Sequence, residues 1–209
     1  MTDAAAPILA TPLGREPDYP STYWRSLFYF NTYRLAVAAL LLVTTSVAGQ
    51  NLLFGSWNKP LFLSVSIAYL LFAAASFITI SAHRPGFQLQ IAVQVCADIV
   101  FVVLLLHASG GISSGLGLLL LANLAAAGII SRGRLTLFYA SLAAVAVLLA
   151  HTYEVLFYYG SYAMYLQAGL LSIGYFATAW LAHALAKRVV ASEQLAAQRE
   201  VDVASMAQV

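Results

Sequence analysis

Six long apolar runs, at residues 26–48, 60–82, 88–107, 116–130, 135–158 and 163–185, fill most of this chain. All but the fourth have the roughly 20 residues that an α-helix needs to cross a bilayer. The fourth falls short unless it borrows from the stretch before it. In lipid every backbone N–H and C=O must be paired within its own segment, so uninterrupted apolar runs of this length fold as helices. Charge closes the alternative of a water-facing surface. A soluble domain carries about 25% charged residues, whereas here 9% are charged and 62% hydrophobic, with a mean hydropathy of +0.84. The connections "HRPGF", "SRGR" and "YGSY" are brief, which makes successive helices antiparallel neighbours. The predicted fold is an all-α integral membrane protein, with six transmembrane helices in antiparallel hairpins and a cytoplasmic exit helix.

Cationic residues set the direction. With six crossings, Arg15, Arg25, Arg84, Arg132, Arg134, Lys187, Arg188 and Arg199 fall on one side, and only Lys59 falls on the other. An odd or shifted count of spans destroys this segregation. Both termini are therefore expected in the cytoplasm of a bacterial cell, with the chain in its inner membrane. Residues 1–25 contain Pro7, Pro12, Pro17 and Pro20 and no apolar core run, so they read as a disordered tail rather than a signal peptide. Residues 26–186 form the membrane domain. After Gly174 no Gly or Pro follows, and residues 187–209 are rich in helix formers, so the sixth helix is predicted to run on into the cytoplasm. Val190, Gln194, Ala197, Val201, Ala204 and Gln208 make one possible heptad seam for a homodimer. The other reading is a frayed amphipathic tail. A helix that ends without a stop signal leads to the expectation of further domains beyond Val209, which the downstream coding sequence would test.

Catalytic equipment is sparse. The sequence has no phosphate-binding P-loop, no paired-histidine zinc helix, no Cys pair and no nucleophile elbow. The single Cys96 excludes an internal disulfide, and a net charge of +2 gives no nucleic-acid footprint. No cofactor and no catalytic residue is expected.

Three groups of residues carry candidate function. Gln90, Gln94 and Asp98 recur on one face of the third helix, with Asn123 on the fourth, and Arg34 lies about 12 Å into the first helix against about 15 Å for Asp98. An unpaired charge at mid-bilayer costs roughly 2.5–3.5 kcal/mol, which favours an Arg34–Asp98 ion pair that a helix shift could break. The alternatives are that Arg34 snorkels to the interface, that Asp98 lies neutral beside Gln94, or that these polar groups only fix packing. At the outer surface His107, His151 and Glu154 reach the same level. They suit a zinc or proton site, or ordinary polarity within a girdle of Tyr153, Phe157, Tyr158, Tyr159, Tyr162 and Tyr165. Between the third and fourth runs stands "HASGGISSGLGLLLL", residues 107–121, which turns the chain without charge. Gly110, Gly111, Ser113, Ser114, Gly115 and Gly117 can form a tight re-entry, an anion nest, or a small-residue surface that a second helix approaches closely.

"YRLAVAALLL" at 33–42 and "HASGGISSGLGLLL" at 107–120 resemble the membrane domain of PilS-type sensor histidine kinases, which govern type IV pilus genes. The likeness covers most of the chain. It implies a transmembrane sensory input domain that detects a membrane-embedded signal, the pilin transmembrane helix, and relays it to cytoplasmic PAS and kinase domains and their response regulator. None of those catalytic domains can be read in residues 186–209. Two other classes stay open on the residues alone. One is a small transporter, although the first three spans show no convincing similarity to the last three. The other is a membrane scaffold or assembly subunit.

Overall fold

In a computed structural model the described residues are 21–47, 54–82, 86–131, 133–158 and 161–206, with the side chains of 21–23, 133–134, 190 and 193–206 not described. Every regular element among them is helical: α1 (Ser21–Val47), α2 (Lys59–Ala82), α3 (Phe87–Ala108), α4 (Leu119–Ile130), α5 (Gly133–Tyr158) and α6 (Met164–Met206). Five contain a stretch long and apolar enough to cross a membrane, and α4 is the shorter sixth. The chain is thus a multi-pass, all-α membrane domain.

Burial is arranged as lipid requires. Leu40, Leu71, Ile78, Leu149, Leu166 and Ile173 lie outward, while Arg34, Asp98, Gln94 and Asn31 are enclosed. Polar residues on the lipid side return their hydroxyls to the helix: Thr44 and Ser46 donate to Leu40 and Leu42 carbonyls at 2.8 Å each. The closest pairings are α1 with α2, α5 with α6, and α4 with α6, while α3 runs through the middle against α2, α4 and α5. The first two join helices that are consecutive in the chain. The α4–α6 pairing joins helices that are not consecutive, and small residues explain it. A Cβ on Gly128 would stand 3.0 Å from the Ala179 carbonyl and 3.0 Å from Ala182 Cβ, so the backbones approach as only small residues permit.

Two boundaries differ from the sequence expectation. Residues 21–25 belong to α1 rather than to the tail, because Trp24 already has a partner: its ring stacks edge-on against Phe87 at 5.3 Å. Residues 1–20 lie outside the described residues. The α2 helix begins at Lys59, one residue before Pro60, where Asn58 Oδ1 accepts from the Leu61 N–H at 3.0 Å as an N-cap.

The fourth crossing does borrow from the glycine turn. Its α-helix has 12 residues, about 18 Å of rise. Two short 3-10 turns, Gly111–Ser114 and Leu116–Leu118, precede it. Irregular backbone near membrane depth is tolerated where protein covers it, and Gly111, Ile112, Ser114, Leu116 and Gly117 are all buried. The exit helix is continuous for 43 residues, of which Met164–Val189 is apolar enough to span. The heptad seam proper falls on side chains outside the described residues.

Candidate functional site

Arg34 and Asp98 meet at the centre of the α1–α2–α3 packing. Arg34 Nε lies 2.7 Å from Asp98 Oδ1, and both side chains are fully enclosed. Matching depth forces this: both helices enter from the same side, and a short aspartate cannot reach water. Arg34 does not snorkel. Its guanidinium is instead boxed by the rings of Phe30, Tyr69 and Phe72 at 5.7, 5.9 and 5.1 Å. Asp98 Oδ1 also accepts the Tyr69 hydroxyl at 3.0 Å, so its second partner is Tyr69 and not Gln94. Asn31, one turn below Arg34, donates Nδ2 to the Ala73 carbonyl at 2.9 Å and offers Oδ1 to Arg34 Nη1 at 3.5 Å. One salt bridge thereby ties three helices, with Asp98 Oδ2 and Arg34 Nη2 left without hydrogen bonds.

The other members of the expected polar group stand apart. Gln94 is buried on the same face, but neither amide atom has a hydrogen-bond partner. Gln90 donates to Thr79 Oγ1 at 2.9 Å. Asn123 is buried on α4, and among the described residues no hydrogen bond or ion pair joins it to the Arg34–Asp98 pair. Tyr69 and Asn31 escaped sequence reasoning. Tyr69 sits within an apolar run and reads as filler, whereas Asn31, three residues before Arg34, carried a helical-face signal.

At the opposite end His107, His151 and Glu154 come together. His107 Nδ1 lies 3.5 Å from Glu154 Oε1, and His151 Nδ1 lies 3.7 Å from Oε2. Aromatic rings surround them: Trp57 is 5.9 Å from His107 and 4.9 Å from Tyr158, and Tyr165 is 4.6 Å from His151. Of the expected girdle, Tyr159 lies outside the described residues. Among the described residues no three His, Cys, Asp or Glu side chains are arranged to hold a metal ion.

The glycine turn serves two places rather than one surface. Gly111 has φ +81°, and a Cβ there would collide with the Glu154 carboxylate. Only glycine accepts both the left-handed backbone and the contact. The turn is tied to the α1–α2 connection as well: the Trp57 and Asn58 N–H groups donate to the Ala108 carbonyl at 3.2 and 3.0 Å, and Ser109 Oγ accepts the Gly55 N–H at 3.0 Å. Gly110 and Ser113 border the cavity beside Glu154. Gly115 and Gly117 face the other way, into a groove of about 340 Å³ between the turn, α4 and α6 that also includes Leu121, Gln167, Leu170 and Gly174. Ser114 is buried, its hydroxyl donated to the Gly111 carbonyl at 2.7 Å. Tyr175 of α6 donates its hydroxyl to the Gly117 carbonyl at 2.9 Å, which joins the turn directly to the helix that leaves the membrane.

The chain shows no match to a curated protein or to a solved structure. A family model described as the PilS-like transmembrane domain matches residues 16–196. That span takes in all six membrane helices and the start of the exit helix, and it makes this chain a member of the PilS-like transmembrane domain family.

Proposed function

We propose that this membrane sensory domain reads a hydrophobic helix presented from within the bilayer, that of the pilin, and relays its presence through α6 to cytoplasmic PAS and kinase domains acting on a response regulator. The observation that carries the reading is the groove beside α6. Its walls are apolar apart from Gln167, and Gly115 and Gly174 leave room for another backbone. Leu118 and Leu170, at its rim, are 60% and 61% exposed, as suits a site entered sideways from lipid. One wall of the groove is α6 itself, so an occupant displaces the element that continues out of the membrane. The bias of basic residues supports a cytoplasmic side for that continuation and for both termini, with the domain in a bacterial inner membrane.

A Cβ on Gly174 meets only Leu121 Cδ2, at 3.5 Å, so Gly174→Leu fills the groove without straining the fold. In the full-length kinase this change should abolish the response of pilus gene expression to pilin level while membrane accumulation stays normal. An unaltered response would remove the groove from the mechanism.

Signalling of this kind works through a parallel dimer, with the exit helix in its seam. Single cysteines along 189–206, in a background lacking Cys96, are expected to cross-link in membranes with a helical period. Uniform or absent cross-linking would instead favour an unpaired amphipathic tail.

A further inference from the structure

The outer end of the bundle holds a cavity of about 290 Å³ enclosed by the α1–α2 connection, the glycine turn, α5 and the start of α6. Two of its wall residues are buried groups with polar atoms that make no hydrogen bond, although His107 Nδ1 and His151 Nδ1 face the Glu154 carboxylate at 3.5 and 3.7 Å. Glu154 is 5% exposed and its Oε1 accepts no hydrogen bond; His151 is 2% exposed and neither ring nitrogen makes one. Buried acceptors of this kind are costly unless a ligand or water supplies the missing donors. No Lys or Arg is among the described residues that line the cavity, and Glu154 is the one acidic side chain there, with His151 beside it. Trp57 and Tyr158 bring aromatic rings to the same wall, 4.9 Å apart, and ring faces attract cations. Ser113 also lines the cavity, and its hydroxyl, donated to the Gly110 carbonyl at 3.0 Å, keeps its lone pairs to accept.

We propose that this cavity binds a primary ammonium group carried by a short alkyl amine. Such a group brings three N–H donors and one positive charge. The donors match Glu154 Oε1, a His151 ring nitrogen and the Ser113 oxygen, and the charge matches the carboxylate and the rings. An anion would meet the Glu154 carboxylate with no Lys or Arg in the lining to offset it. A quaternary ammonium would satisfy the rings but leave the acceptors bare. The close seating of the Gly111 backbone on Glu154 holds the carboxylate in place and makes the site rigid. Binding here is a property of the chain itself and does not rest on the docking of a helix in the lateral groove.

The chain has three tryptophans, Trp24, Trp57 and Trp180, so W24F with W180F leaves Trp57 as the sole reporter at the cavity wall. The purified 209-residue protein in lipid nanodiscs is titrated with n-butylammonium chloride, tetramethylammonium chloride and sodium butanoate while Trp57 fluorescence is followed. Butylammonium should give a saturable change. Tetramethylammonium should need at least about tenfold more, butanoate should give none, and E154Q should weaken butylammonium by about tenfold or more. Helical circular dichroism checks that E154Q is folded. Should it fail to fold, S113F blocks the rim from an exposed position and should likewise abolish the change. The proposal is overturned by equal responses to butylammonium and butanoate or tetramethylammonium, by undiminished binding in E154Q or S113F, or by no saturable response to butylammonium.

Discussion

Asp98→Asn and Arg34→Gln should each destabilise the domain by about 3–5 kcal/mol, the range found when one partner of a buried ion pair is removed. Each change strands the other charge where water cannot reach it, since both side chains are fully enclosed. Asp98→Asn keeps an acceptor for the Tyr69 hydroxyl, which now bonds Asp98 Oδ1, so it should fall at the low end. Arg34→Gln also abandons the box formed by Phe30, Tyr69 and Phe72, and should fall at the high end. The exchanged pair, Asp98→Arg with Arg34→Asp, should recover more than half of the summed loss in a denaturant titration followed by circular dichroism. Because the two residues touch, their effects should be strongly non-additive. Additive losses, with no recovery on exchange, would show that the pair contributes nothing as a pair.

Gly111→Ala carries the second large effect. A non-glycine residue in the left-handed region costs of order 1–3 kcal/mol, and the Gly111 φ of +81° lies there. The added methyl must also displace the Glu154 carboxylate. The expected loss is about 2–4 kcal/mol, with a disturbed His107–Glu154–His151 cluster. Combining Gly111→Ala with Glu154→Ala should return the steric part and leave the backbone part, so the double variant should be more stable than the sum of the single changes allows. A Gly111→Ala protein as stable as the parent, or one indifferent to residue 154, would contradict the role given to this glycine.

The two sites differ in how far they could be read from the chain. Arg34 and Asp98 are joined by simple geometry. Two helices that enter from one side place residues of equal depth at one level, and the cost of charge in lipid drives both inward. Their third partner could not be seen, because Tyr69 lies among apolar residues and nothing local marks its hydroxyl as buried against Asp98. Gln94 sits on the predicted face yet makes no hydrogen bond, since a helical face sets direction and not the presence of a partner. The helices themselves were legible from length and apolarity alone. The pairing of α4 with α6 was not, because it depends on Gly128 lying against Ala179 and Ala182, far along the chain. The turn divides in the same way. Its glycines announced a tight passage, but which of them faces Glu154 and which faces the groove follows from φ angles that only the packed bundle fixes.

The lateral reading of the bilayer is the centre of this account, and site-specific photo-cross-linking tests it most directly. A photoreactive residue at Leu170, on the rim of the α6 groove, or at Ile78, 73% exposed on α2, would be irradiated in membranes of cells that make pilin and carry this membrane domain. Leu170 should yield an adduct with pilin and Ile78 none. Equal adducts from both positions, or adducts from Ile78 alone, would contradict the lateral reading.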